Sequence, residues 1–299
     1  MRCFFELMHG CSEMMRIDLH MHSTVSDGTD TPPELLDRVR KAKIELFALT
    51  DHDAVKGCAM IRDLLGSDDP MFINGVEFSC CDEEGKYHIL GYHYDPDGAS
   101  IRDIVELGHR YREEKLAARL EFIKERFGFA FSDADVQSLL ALDNPGKPHI
   151  GNLMVRYGYA PSKEAAIREY LDQACIPDEY VRPEEAIQGI LKSGGIPVLA
   201  HPVYGSGEEL ITDDQMDRRL NRLLALGLQG VEAFYSTFTR RMVREMLSFA
   251  EKYNLYVTAG SDYHGKNKPI APGETNLDRF ETVPDGMKRF LSVTGYTAG

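Results

Sequence analysis

The chain has 299 residues, a formal net charge of −14, 43% hydrophobic residues and 27% charged residues. That composition suits a soluble globular protein with a sizeable core, and the charge argues against a long nucleic acid held by broad electrostatic attraction. No apolar run reaches the roughly 20 residues of a membrane-spanning helix, so no membrane partner is expected, and six cysteines without a CxxC pair read as reduced and structural.

Residues 1–15 lack the basic start and apolar stretch of a signal peptide. They read as a loose leader, with the cytoplasm as the default location. Seven runs then read as buried parallel strands: 16–22, 46–53, 72–79, 87–94, 196–202, 228–235 and 255–264. Helical patterns over 32–43, 184–195 and 239–254 lie between them; the first opens on prolines and the second closes on glycines. This alternation predicts an α/β barrel formed by residues 16–97 and 184–299. Residues 98–183 differ in character. Ile101, Ile104, Val105, Leu116, Leu120, Ile123 and Phe127 follow helical spacing, and shorter helices follow, so the segment reads as a helical insertion forming a cap. From 99 to 183 there are 12 Lys/Arg against 14 Asp/Glu, which places most of the acid excess elsewhere.

The polar residues fall where a barrel gathers its chemistry. Each strand is apolar in its body and turns to His, Asp or Glu near its end: His20 and His22, then Asp51, His52 and Asp53, then Glu77, then His201, then Asp262 and His264. In a parallel βα barrel these ends share one face, and residues two apart in a strand project to the same side. A single buried histidine is more often hydrogen-bonded core than ligand. Several beside buried carboxylates are different: without a cation the acids would repel one another and lack partners.

The runs DLHMHSTVSDG, LTDHD, GVEFS, YHILGY, LAHP and GSDYH resemble, in order and spacing, the motifs of the polymerase and histidinol phosphatase (PHP) family. The resemblance implies a distorted (β/α)7 barrel carrying two or three divalent metal ions (Mn, Zn or Fe). One cation would take His20, His22, Glu77 and Asp262. A second would share Glu77 and add His88 and His201, with His93 as the alternative to His88. A third would use Asp27, His52 and His264. Mixed His and carboxylate donors suit these metals better than Ca or Mg.

Such a cluster makes a neutral-pH nucleophile of water and relieves charge on a phosphate, so the expected activity is hydrolysis of a small phosphate ester, nucleotide-like in its substrate. Asp53 and His264 are the candidates for the proton donor. Lys147 and His149, in GKPHI, stand where relatives carry Arg-Pro-His; with Arg182, Tyr235 and Ser236 they are the candidate substrate contacts. Two alternatives stay open: a 5′-3′ exoribonuclease acting on short RNA, and a non-catalytic metal-binding structural module.

Overall fold

A computed structural model describes residues 15–296 except 143, 177–178 and 205–209. The expected leader, with Cys3, His9 and Cys11, lies outside the described residues up to residue 14. Seven strands pair in chain order: β1 (Ile17–Asp18), β2 (Leu46–Leu49), β3 (Met71–Asp82), β4 (Gly85–Tyr92), β5 (Ile196–Leu199), β6 (Gly230–Tyr235) and β7 (Tyr256–Gly260). The chain just after β1 meets β7, where Leu19 N–H donates to Ala259 O at 2.9 Å and His22 N–H donates to Tyr263 O at 2.8 Å. The sheet thus curls into a nearly closed barrel, the expected α/β architecture.

The helices are α1 (Pro32–Lys41), α2 (Lys56–Leu64), α3 (Ala99–Phe127), α4 (Asp133–Leu140), α5 (Lys147–Arg156), α6 (Lys163–Glu169), α7 (Pro183–Lys192), α8 (Asp213–Ala225), α9 (Arg240–Lys252) and α10 (Asp285–Val293). Local chemistry accounts for their ends. Thr31 and Glu34 form a capping box that spans the α1 prolines, and Leu35, Leu36 and Val39 turn one face of α1 to the core. No described helix is long and apolar enough to cross a membrane.

One expectation is corrected. β4 is not parallel: it runs antiparallel to both β3 and β5. The reason is chain length. Only residues 83–84 join β3 to β4, whereas a parallel crossover needs a dozen residues or more.

The reversal shapes everything that follows. Tyr92, at the end of β4, pairs with Ile196 at the start of β5, so the chain leaves β4 at the end of the barrel opposite the mouth. The 29 residues of α3, about 44 Å of helix, carry it back. The first turn of α3 is tied to the end of α7, with Ile101 N–H donating to Ser193 Oγ at 3.0 Å. Ile101 and Ile104 pack on the barrel core, and the helix then passes Asp53 at Gly108. Leu116 and Ile123, farther along, belong to a separate core with Leu139, Ile150, Met154 and Ala166. The segment between β4 and β5 therefore has its own apolar interior, and α3 is common to it and the barrel.

Candidate metal centre and its cavity

Strand ends and the loops after them bring the predicted ligands together. His20 and His22 follow β1, His52 follows β2, His201 follows β5, and Asp262 and His264 follow β7. Glu77 instead lies within the long β3, and His88 within β4. Because β4 is reversed, its first half lies at the mouth, so the structure brings His88 to the cluster and leaves His93 exposed beyond the far end of the strand. Asp53, His201 and Asp262 take positive φ values of 48°, 27° and 57°, a strained conformation for residues with a Cβ, held here by the surrounding fold.

Glu77 is the centre of the arrangement. Its Oε2 lies 3.3 Å from His20 Nε2, 3.2 Å from His22 Nε2 and 3.2 Å from His52 Nδ1. Its Oε1 lies 2.8 Å from His88 Nδ1 and 3.3 Å from His201 Nε2. Asp262 Oδ1 stands 3.5 and 3.3 Å from the Nε2 atoms of His20 and His22. Asp27 Oδ1 is 3.2 Å from His264 Nε2, and Asp27 Oδ2 is 4.0 Å from His52 Nε2.

Three of the converging nitrogens, His20 Nε2, His22 Nε2 and His52 Nδ1, are buried without a hydrogen-bond partner. They approach carboxylate oxygens in directions that make no hydrogen bond. Buried polar atoms are seldom left so, and lone pairs aimed with carboxylates at a common point are what a divalent cation needs. His20, His22 and Asp262 form one such group; His52, Glu77 and His88 form another; His22, Asp27, His52 and His264 form a third.

The electrostatics agree. Burial opposes protonation of His20, but the carboxylates of Glu232, Glu77 and Asp262 overcome it and raise its pKa well above the ordinary value. His22, equally buried, is raised to about 9 by Asp262 and Glu77. Burial would keep Glu77 neutral, yet His88, His20 and His52 hold it well below the usual range. Burial pushes His52 the other way, well below its ordinary value. The centre thus holds ionised carboxylates whose charge must be met, by protons on imidazoles or by a cation in their place.

A second tier of side chains fixes the first. Glu232, fully buried in β6, lies 2.9 Å from His20 Nδ1 and accepts the His201 backbone N–H at 2.8 Å. It turns His20 Nε2 inward and braces the turn at His201. Asp51 accepts from Ser23 N–H at 2.7 Å and from Ser26 Oγ at 2.8 Å, shaping the loop that ends at Asp27. Tyr235 donates to Asp262 Oδ2 at 2.6 Å, and Lys268 pairs with the same oxygen, so Oδ1 faces the histidines. Replacing Glu232 by Gln keeps the volume but removes the charge behind His20. Metal affinity is expected to fall about 10- to 100-fold, read by titration of the stripped protein, and an unchanged dissociation constant would rule out this bracing role.

Above the cluster lies a cavity of about 1150 Å³. Its lining joins the candidate ligands to cationic side chains of the helices between β4 and β5, among them Arg112 from α3, Lys147 from α5 and Lys163 from α6. Among the described lining residues the only carboxylates are Asp27, Glu77 and Asp262, all members of the cluster.

Of the predicted substrate contacts, Lys147, Tyr235 and Ser236 line this cavity. Lys147 also donates to Asp172 at 2.6 Å. His149 is not among the lining residues; its Nδ1 accepts the Gly146 N–H at 3.0 Å, and burial lowers its pKa. Arg182 is not brought in. It is exposed at the start of α7, where Glu83 takes its guanidinium at 3.1 Å. Asp53 is engaged by Arg112 at 2.6 Å and does not reach the cavity lining, while His264 stands among the candidate ligands. Sequence reasoning did not anticipate Glu232, Lys268 or Arg112. A lone acid in the apolar run GVEAFY was the available sign of Glu232.

A family model described as the PHP domain matches residues 18–186. A 3′,5′-nucleoside bisphosphate phosphatase of Chromobacterium violaceum is 30% identical over 89% of this chain and 90% of its own length. A phosphoribosyl 1,2-cyclic phosphate 1,2-diphosphodiesterase of Eggerthella lenta is 30% identical over 83% and 94% of the two chains. A 5′-3′ exoribonuclease of Haemophilus influenzae is 27% identical over 92% and 99%. The solved structure of a Bifidobacterium adolescentis protein described as a metal-dependent phosphoesterase covers 93% of this chain and 96% of its own, with a TM-score of 0.79 at 26% identity.

Proposed function

The chain belongs to the PHP domain family, and from that premise we propose that it hydrolyses small phosphate esters, nucleotide mono- or bisphosphates or small cyclic diesters, with two or three bound divalent cations. The observation that carries the reading is the cavity. In a chain of net charge −14, it joins a His and carboxylate cluster to cationic walls. A volume of about 1150 Å³ exceeds what one phosphate fills and suits a ligand of nucleotide size.

His20, His22, Glu77 and Asp262 would hold one cation, Glu77, His88 and His201 a second, and Asp27, His52 and His264 a third. The donor set suits Mn, Zn or Fe. Cations so held supply Lewis acidity and a water activated at neutral pH. The chain's own residues do the rest. Glu232 and Asp51 hold the ligands and their loops in place; Lys147, Lys163 and Arg112 present positive charge to the substrate's phosphate; Tyr235 and Ser236 border the space left for a sugar or base. The inserted helices act as the cap that narrows access to water.

The relatives named as exoribonucleases keep a second reading in play, in which the same centre trims short RNA. Product analysis separates the two. Metal-loaded protein is offered nucleoside monophosphates, 3′,5′-bisphosphates, cyclic phosphates and short RNA. Release of phosphate or opening of a ring from one small-ester class, with RNA left intact, supports the proposal. Mononucleotides from RNA alone would replace it with the exoribonuclease reading.

A further inference from the structure

Arg112 is held in place by the fold before any ligand arrives. Its Nε donates to Asp53 Oδ2 at 2.6 Å, and its Nη2 donates to Ser79 Oγ at 2.7 Å. Asp53 is fixed in turn. The Ser79 backbone N–H donates to its Oδ1 at 3.2 Å, and its own N–H donates to Glu77 O at 2.9 Å. Helix α3 comes this close only because residue 108, one turn before Arg112, is glycine. A Cβ there would stand 2.9 Å from the Asp53 side chain, closer than real Cβ atoms pack.

An arginine carries five N–H donors, and the hydrogen bonds to Asp53 and Ser79 use two of them. The Nη1 end points toward Gly146, 3.9 Å from where a Cβ on that residue would stand. Arg112 therefore lines the cavity between His52, Glu77 and His88 on one side and the start of α5 on the other. Lys147, at that start, is a point charge that already holds Asp172. A planar fork in a fixed orientation recognises phosphate oxygens with a directionality that a lysine cannot match.

We propose that Arg112 is the phosphate anchor of this cavity, a preset guanidinium that takes the non-bridging oxygens of a substrate phosphate, with Asp53, Ser79 and Gly108 as positioning residues. This rests on the phosphoesterase reading and extends it to a residue that touches substrate. Asp53 then serves by orienting Arg112, not by giving up a proton.

The test uses full-length, metal-loaded protein and the variants Arg112→Lys and Asp53→Asn. Inorganic phosphate is the probe for affinity, and steady-state kinetics on the best small ester give KM and kcat. For Arg112→Lys, the phosphate dissociation constant and KM are expected to rise about 10- to 100-fold, the scale of a lost hydrogen bond to a charged group. Metal content and melting temperature stay at wild-type values. Asp53→Asn moves the same two quantities in the same direction by less. Unchanged phosphate affinity and KM in both folded, metal-loaded variants overturns the proposal. So does a loss of metal or stability in Arg112→Lys with phosphate affinity intact, which makes Arg112 a strut. Should the wild type turn over no phosphate ester, the phosphoesterase reading fails by itself, while the comparison of phosphate affinities still reads the anchor.

Discussion

Glu77→Gln is expected to lower kcat/KM by about a thousandfold or more, equivalent to about 4 kcal/mol of transition-state stabilisation, and to leave the protein short of metal. The two oxygens of Glu77 serve two sets of imidazoles, His20, His22 and His52 at Oε2 and His88 and His201 at Oε1. Glutamine keeps the shape but must present an NH2 group to one set. It also removes the buried negative charge that five histidines surround at the floor of the cavity. A carboxylate shared between two cations would not be replaced by a group with one acceptor oxygen and no charge. Metal counted by mass spectrometry and kcat/KM measured on the same preparation should fall together. A variant with its full metal complement and wild-type turnover would show that Glu77 bridges nothing.

Stripping the metal should lower the melting temperature by roughly 10 °C, the second large effect. Cations present at about a thousand times their dissociation constant stabilise a fold by about 4 kcal/mol, and in a chain of this size each kcal/mol moves the midpoint by roughly 2–4 °C. The physical reason lies in the buried cluster. Without a cation, the Glu77 carboxylate depends on protonated imidazoles, Asp262 leans on Lys268 as well as on the histidines, and His20 Nε2, His22 Nε2 and His52 Nδ1 lack hydrogen-bond partners. Calorimetry of loaded and stripped protein reads this directly, with the original midpoint restored on adding metal back. Coincident melts would mean that the cluster is satisfied by protons alone.

The barrel and its ligand candidates were legible because both rest on short-range regularities. An apolar run ending in His or Asp marks a buried strand reaching a mouth, and the HxH and DxH pairs place two donors on one side of the chain. Strand direction was harder, since alternation and apolarity do not depend on it. The sign was present in chain length: the runs at 72–79 and 87–94 are separated by seven residues, too few for a crossover helix. Reading β4 as antiparallel would have put His88 at the mouth and His93 at the far end. Arg112 was not legible. It is one of many charges on α3, and nothing in a helical repeat says which charged face turns toward a barrel or that Gly108 lets the helix approach Asp53. Arg182 illustrates the opposite case, a basic residue close in sequence to LAHP that the fold leaves at the surface with Glu83.

The central claim is that phosphate-ester hydrolysis in this cavity requires cations held by the His and carboxylate cluster. The most direct measurement is phosphate-ester turnover by one preparation of the protein, assayed after loading with Mn, after exhaustive chelation and after reloading. Turnover in the loaded and reloaded protein, and none in the stripped protein, is the predicted result. Equal turnover in all three states would contradict the claim.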